Sequence, residues 1–127
     1  MKRQNISSDA RWEDLVGYSR AVKIGNTIEV AGTTSIQDGL VLHVGDHYGQ
    51  TKFILNKIKD VLESADSSME HVVRTRIYVT DISFWQSVGK AHGEFFKDIR
   101  PASTMIEVSN LILPEILVEI EVKAIII

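Results

Sequence analysis

The sequence predicts an α+β fold in which two helices cover one face of a mixed sheet. The first observation is length, since 127 residues suit a single domain. The second is pattern: short segments alternate between apolar and polar residues, and two longer segments repeat apolar residues at helical spacing. The third is order, which runs strands, helix, strand, helix, strands. We therefore expect one domain over residues 1–127, in which residues 1–15 form a loosely ordered N-terminal arm.

Composition excludes several classes of protein. Hydrophobic residues make up 44% and charged residues 24% of the chain, which is an ordinary globular balance. The net charge of −3 argues against a strongly basic nucleic-acid surface. The absence of cysteine removes disulfides, cysteine-ligated zinc and thiol nucleophiles. No apolar run approaches the roughly 20 residues of a membrane span, and no secretory signal is visible, so we expect a cytoplasmic protein without membrane or nucleic-acid partners.

The N-terminal half predicts three strands and a helix. From Val16 to Ile28 the pattern predicts two strands joined by a tight turn at Gly25-Asn26, because this pair tolerates positive φ. A short third strand is expected within Leu40–Val44. The helix is expected from about Asp46 to Ala65, with Asp46 as its N-cap. Its apolar stripe contains Ile54, Ile58, Val61, Leu62 and Ala65.

The C-terminal half predicts three strands around a second helix. The strands are expected at Val72–Thr80, Thr104–Val108 and Leu117–Ile127. The helix is expected at about Ser83–Asp98, and Pro101 closes that segment. The inner face of this helix comprises Phe84, Val88, Ala91, Phe95 and Ile99.

The second face of the predicted sheet carries charged side chains. They alternate along the middle and last strands as Arg74, Arg76 and Tyr78, and as Glu119, Glu121 and Lys123. Two interpretations stay open, a solvated face or a subunit interface with a polar cleft. Two like charges on one face disfavour each other, which raises one carboxyl pKa toward that of a general acid or base. The alternative is that both glutamates pair with Arg or Lys on a neighbouring strand or subunit.

Other chemical signals are weak. The four histidines do not have metal-ligand spacing, and there is neither a glycine-rich phosphate loop nor a nucleophile elbow. Arg100, before Pro101, has the position to bind a small carboxylate through both guanidinium nitrogens. Equally, it satisfies the carbonyl groups at the end of the second helix.

Several segments together resemble the signature of the YjgF/RidA family, also called the Rid or L-PSP endoribonuclease-like family. The resemblance runs from about Gly17 to Ile126. Its landmarks, in order, are Gly17-Tyr18-Ser19, Ile24-Gly25-Asn26, Val30-Ala31-Gly32, the strand Arg74–Asp81, Phe95-Phe96, Arg100–Val108 and Leu117–Glu121.

This resemblance implies a chorismate-mutase-like α+β fold and a homotrimer with small clefts between subunits. The best-known members hydrolyse reactive imines and enamines, such as 2-iminobutanoate and 2-iminopropanoate, to 2-keto acids and ammonia without a cofactor. In them an arginine binds the substrate carboxylate and a glutamate on the last strand positions and activates water. A tyrosine on the first strand and backbone groups near the second strand complete the pocket.

The family residues carry over in part. Glu119 stands at the catalytic glutamate, Tyr18 at the tyrosine and Gly32 at the glycine after the second strand. Four pocket positions differ: Ala31 replaces a serine, Gly89 an asparagine, Ser103 the arginine and Met105 a cysteine. The chain therefore resembles a branch of the family that lacks the catalytic arginine.

We expect a homotrimer whose clefts bind or hydrolyse an imine-like, enamine-like or related small metabolite. Glu119 is the expected catalytic residue, without metal or cofactor, and the expected ligand-binding residues are Tyr18, Gly32, Thr33, Arg100 and Ser103. Loss of a buried charge partner for a carboxylate costs about 2–5 kcal/mol, which argues against the usual 2-imino acid deaminase activity. Two alternatives stay open: an active deaminase that uses Arg100, and a non-enzymatic regulatory or chaperone-like trimer.

Overall fold

The computed structural model describes all 127 residues. The strands are β1 (Arg3–Ile6), β2 (Ala21–Ile24), β3 (Thr27–Thr33), β4 (Ile36–Gln37), β5 (Leu40–Val41), β6 (Val72–Val79), β7 (Ala102–Glu107) and β8 (Val118–Ile125). The helices are α1 (Arg11–Val16), α2 (His47–Ser64) and α3 (Trp85–Phe96). None of the helices combines the length and apolar character needed to cross a bilayer.

Six strands form one mixed sheet in the order β1-β2-β3-β8-β6-β7, and β4 and β5 form a separate small hairpin. Every neighbouring pair in the large sheet is antiparallel except β6 and β7, which are parallel. Parallel neighbours need a crossover connection, and α3 provides it. The two long helices α2 and α3 pack together on one face of the sheet, so the predicted α+β class is confirmed.

The core lies between these helices and the sheet. Helix α2 contributes its apolar stripe, and β8 contributes alternate residues whose neighbours point to the opposite face. The buried members from these two elements are Ile54, Leu55, Ile58, Leu62, Val118, Ile120, Val122 and Ala124. The predicted N-cap is also confirmed, because the Asp46 carboxylate accepts a hydrogen bond from the Gly49 amide at 2.8 Å.

A buried glutamine fixes the start of the last strand. Gln50 of α2 donates through Nε2 to the Glu115 carbonyl at 2.8 Å and accepts from the Leu117 amide at 2.9 Å. Both groups belong to the loop that leads into β8, and buried backbone groups of this kind need partners. Gln50 therefore anchors the strand that carries Glu119.

The first fifteen residues have defined elements, where the sequence predicted a loose arm. Strand β1 pairs along its whole length with β2 at one edge of the sheet, and α1 follows it. Glu13 of α1 is only 5% exposed. Its carboxylate accepts hydrogen bonds from the Ser7 hydroxyl at 3.0 Å, from the Ser8 amide at 3.2 Å and from the Ser8 hydroxyl. Periodicity could not reveal this anchor because it is a single charged side chain folding back on its own segment.

We predict that Glu13→Ala releases the N-terminal strand. Burial raises the pKa of Glu13, but hydrogen bonds from Ser8 and Ser7 outweigh burial and hold the pKa below its usual value. Hydrogen bonds to a charged group contribute about 1.5–3 kcal/mol, so the amides of Arg3–Ile6 are expected to exchange roughly tenfold faster or more. Hydrogen exchange measured by NMR tests this, with the exposed neighbour Asp14→Ala as control. Equal exchange in both variants would contradict the anchoring role.

Candidate functional site

A bulge in β3 creates the candidate site. Val30 pairs with Val122 of β8, but the next paired residue, Thr33, pairs with Ile120. Strand β3 thus advances three residues while β8 advances two, which places one extra residue in β3. Gly32 lies in this bulge, and a Cβ atom built on it would lie 3.0 Å from Cδ of Glu119 and closer still to Oε2. Only glycine lets the backbone approach this carboxyl group so closely.

Glu119 projects from the sheet face opposite the helices and is half-buried. Burial raises the pKa of Glu119; Arg20 lowers it and Glu121 raises it further, and the net result is above the usual value. The carboxyl group forms no ion pair within the chain. A carboxyl group that keeps its proton to higher pH, and that forms no ion pair, is suited to general acid–base catalysis.

Arg20 is the central residue of the site, and the sequence analysis missed it. It is 6% exposed, and its Nη1 atom donates to the Gly32 carbonyl at 3.0 Å and to the Thr33 hydroxyl at 3.2 Å. Its guanidinium carbon lies 5.7 Å from the centre of the Tyr18 ring. Its buried Nε atom has no partner. Arg20 therefore holds the bulge in place and connects Tyr18 with the surroundings of Glu119.

A signal for this residue was present in the sequence. The motif Gly17-Tyr18-Ser19 ends one residue before Arg20, which directly precedes the apolar strand residue Ala21. Arginine is rarely buried without a partner. The position of Arg20 next to an apolar strand residue could have suggested a buried cation. The hydrogen-bond partners of Arg20 lie on another strand, so only the fold reveals them.

The predicted ligand-binding residues divide into two groups. Tyr18 and Gly32 lie around Arg20 and Glu119, as described above, and Tyr18 is partly exposed. Thr33 belongs to this group but is 0% exposed. Its hydroxyl accepts from Arg20 and donates to the Ala31 carbonyl at 2.9 Å. In this structure Thr33 supports the bulge and is closed to solvent.

Ser103 lies in a different place within one chain. It pairs with Thr75, which pairs with Val122, whereas Glu119 pairs with Tyr78 three residues further along β6. Three residues of strand correspond to about 10 Å. Thr75 points toward the helices and Glu119 away from them, so Ser103 also lies on the opposite face. A site that contains both Ser103 and Glu119 needs a second copy of the chain.

Arg100 is exposed and sits in the turn before β7 with φ of 58°. Its backbone amide donates to the Phe96 carbonyl at 2.7 Å, so the backbone, and not the guanidinium, satisfies this helix end. The guanidinium forms no ion pair. Like Ser103, it lies toward the far end of the sheet from Glu119, and its role in a cleft stays a prediction.

The two neighbouring glutamates have different surroundings. Glu121 accepts a hydrogen bond from the Tyr78 hydroxyl at 2.7 Å and lies 3.9 Å from Arg76. Glu119 has neither contact. Within one chain, Glu121 therefore has an arginine partner and Glu119 has no Arg or Lys partner. No cluster of three or more His, Asp or Glu side chains has an arrangement that could hold a metal ion.

An open groove of about 680 Å³ lies on the outward face beside Tyr18. Its lining includes Ser19, Ala31 and Glu121, but not Glu119. This groove is therefore open, and the Glu119 carboxyl group does not line it.

We predict that Gly32→Ala displaces the Glu119 carboxyl group. The added Cβ atom would overlap the carboxyl group, and overpacking of this kind costs about 1–3 kcal/mol. The pKa of Glu119 should fall toward its usual value as the group moves into water. NMR titration of the Glu119 carboxyl carbon measures the pKa, and denaturant unfolding measures the stability. An unchanged pKa would show that the close approach does not hold this carboxyl group in place.

We predict that Glu119→Gln stabilises the protein at pH 8. Because folding raises the pKa of Glu119, the folded chain binds this proton more tightly than the unfolded chain. That contribution is complete below the usual pKa and is lost as pH rises through the folded pKa. The variant avoids the loss, so its stability gain over wild type is expected to be larger at pH 8 than at pH 4.

Urea unfolding at both pH values tests this expectation. Glu29→Gln is the matched control, since its side chain is 59% exposed on the same sheet. Removal of an exposed charge there should change the free energy of unfolding by less than about 0.5 kcal/mol. A gain that is equal at pH 4 and pH 8 in Glu119→Gln would refute the buried-carboxyl interpretation.

Comparison with known proteins agrees with this architecture. The family profile described as Endoribonuclease L-PSP matches residues 9–126. The crystal structure of a YjgF/YER057c/UK114 family member from Mycobacterium tuberculosis superposes with a TM-score of 0.90 at 46% identity and covers 98% of this chain and 100% of that chain. A relative from Acinetobacter baylyi, 3-aminoacrylate deaminase RutC, is 30% identical over 94% of this chain and 95% of its own length. A RutC family protein from Pyrococcus abyssi is 32% identical over 98% of both chains. The predicted resemblance is confirmed, and the chain belongs to the YjgF/RidA family.

Proposed function

We propose that this protein hydrolyses a small imine or enamine in a cleft formed between copies of the chain, with Glu119 as the general acid–base. The observation that carries this proposal is the unpaired, half-buried carboxyl group of Glu119 against the backbone of Gly32. The Acinetobacter baylyi relative supports the substrate class, because the compound that its name gives, 3-aminoacrylate, is an enamine.

The chemistry needs one carboxyl group that exchanges a proton. Water adds to the carbon of the C=N bond, and the Glu119 carboxylate accepts the proton that water releases. The same group delivers that proton to nitrogen, which gives a carbinolamine. It then takes the proton of the new hydroxyl group and passes it to nitrogen, so that the C–N bond breaks, ammonia leaves with the electron pair and the carbonyl group forms. The raised pKa of Glu119 suits both directions of transfer.

The cleft is proposed to contain Ser103 from a second copy, because Ser103 and Glu119 do not meet within one chain. A homotrimer would bring them together, as the family resemblance implies. Light scattering should then give a mass three times that of the 14.2 kDa chain. A monomer mass would remove the basis for a shared cleft.

Competition with semicarbazide tests the activity. An amino-acid oxidase generates 2-iminobutanoate, which should be a weak substrate because Ser103 replaces the family arginine, and the protein at high concentration is expected to lower the amount of semicarbazone that forms. Removal of a general acid–base costs roughly 10²–10⁴-fold in rate, so Glu119→Gln should be almost inactive. Glu29→Gln removes an equal charge from an exposed position and should keep the wild-type rate. Full activity in Glu119→Gln would sink the proposal.

A gain of function tests the position of Ser103. Ser103→Arg returns a guanidinium to the place where the family binds a carboxylate. Since such a partner contributes about 2–5 kcal/mol, the kcat/KM for 2-iminobutanoate should rise at least about tenfold. The control is Thr104→Arg, because Thr104 is the next residue of β7 and points to the opposite face. An equal rise in both variants would show that general charge, and not the cleft, causes the effect.

The alternative role of Arg100 has its own test. This alternative stays open because the Arg100 guanidinium is exposed and forms no ion pair. If Arg100 binds the substrate carboxylate, Arg100→Ala should raise the KM for 2-iminobutanoate. We expect the KM to stay unchanged, because Arg100 lies beyond Ser103 at the far end of the sheet.

A further inference from the structure

The Ser103 hydroxyl is the exposed end of a chain of polar side chains. The Thr75 hydroxyl donates to Ser103 Oγ at 2.7 Å, and His92 Nε2 of α3 lies 3.0 Å from Thr75 Oγ1. Thr75 is completely buried, His92 is partly buried and Ser103 is exposed. These hydrogen-bonded side chains therefore extend from the packed side of α3, through β6, to the surface of β7.

The direction of each hydrogen bond in this series of side chains follows from the number of protons that each group can donate. Thr75 has one hydroxyl proton, and it donates that proton to Ser103. With the Thr75 proton on Ser103, the contact with His92 is complete when the ring carries its proton on Nε2. Ser103 then accepts one hydrogen bond, and its own hydroxyl proton is free to be donated to a partner outside this series of side chains.

The surroundings of His92 favour a neutral ring. Burial lowers the pKa of His92 below its usual value. The ring centre lies 4.6 Å from that of Phe96, so its neighbour on the helix is apolar. A neutral imidazole carries a single N–H group, and in the order of protons described above that group is Nε2–H.

We propose that His92 and Thr75 are positioning residues that orient the Ser103 hydroxyl as a hydrogen-bond donor to a neutral carbonyl oxygen of the ligand. The inference rests on the proposed function, because it takes Ser103 as one wall of the cleft. A hydroxyl group donates one hydrogen bond and brings no positive charge. It therefore fits an amide, ester or ketone oxygen at the place where an arginine would bind a carboxylate.

The first experiment needs no ligand. Two-dimensional ¹H–¹⁵N NMR spectra of the His92 ring identify which nitrogen is protonated. We expect the neutral Nε2–H form in wild type, and a shifted Nε2–H resonance in Thr75→Val, which has the same shape but cannot accept the bond. A ring protonated on Nδ1 alone, or on both nitrogens at pH 7.5, would overturn the proposed proton order.

The second experiment compares two probes of nearly equal shape, a neutral amide and a carboxylate anion. Isothermal titration calorimetry measures the Kd of wild type for 2-oxobutanamide and for 2-oxobutanoate. We expect tighter binding of the amide. Ser103→Ala and Thr75→Val should each weaken amide binding about fivefold, and the double variant should be no weaker than either single variant, because both changes remove one shared bond.

Two matched variants separate positioning from general damage. Thr75→Ser keeps the hydroxyl group and should keep the wild-type Kd for the amide. Thr104→Val alters the next, outward-facing threonine of β7 and should do the same. Unchanged binding in Thr75→Val, or tighter binding of 2-oxobutanoate than of the amide, would contradict the proposal, as would the absence of binding of either probe.

The outcomes also separate this proposal from the proposed function. Amide binding without imine hydrolysis would refute the proposed function and leave the positioning role of His92 and Thr75 in place. A His92 ring protonated on Nδ1 alone, together with loss of hydrolysis in Glu119→Gln, would refute the positioning role and leave the proposed function in place.

Discussion

The candidate site depends on the contact between Arg20 and the bulge of β3. The guanidinium holds the Gly32 carbonyl and the Thr33 hydroxyl, and these bonds keep the extra residue of the strand in one conformation. The bulge turns Gly32 toward Glu119, and the missing side chain leaves room for the carboxyl group. A regular strand at this position would present a side chain there and move the carboxyl group into water.

Two glutamates on one strand show how the fold separates chemical roles. Glu121 has Tyr78 and Arg76 as partners, so its charge is compensated on the sheet surface. Glu119 is two residues away on the same face, but burial dominates its surroundings and raises its pKa. Identical residues on one face thus differ because their neighbours in the fold differ.

The edge strand β7 carries Ser103, which lies away from Glu119 within one chain. Most of its residues are exposed, and Ser103 is the point where a buried hydrogen-bond chain reaches the surface. Helix α3 makes the crossover into β7 and supplies His92, so the element that the parallel pairing requires also carries the first group of that chain. The proposed replacement of a charged ligand contact by a neutral one therefore involves residues on three elements, of which sequence comparison with the family singles out only one.

The sequence by itself determined the α+β class, the long helices, five of the six strands of the large sheet and the family, because hydrophobic periodicity and local motifs are properties of neighbouring residues. It predicted the turn at Gly25-Asn26 and the N-cap Asp46 for the same reason. It also singled out Glu119, Tyr18 and Gly32 through the family resemblance. The tertiary structure alone showed that Glu13 anchors the N-terminal strand, that Arg20 holds the bulge, and that Thr33 is buried while Glu119 is unpaired. Register, bulges and burial arise from contacts between residues far apart in the chain, and no local pattern records them.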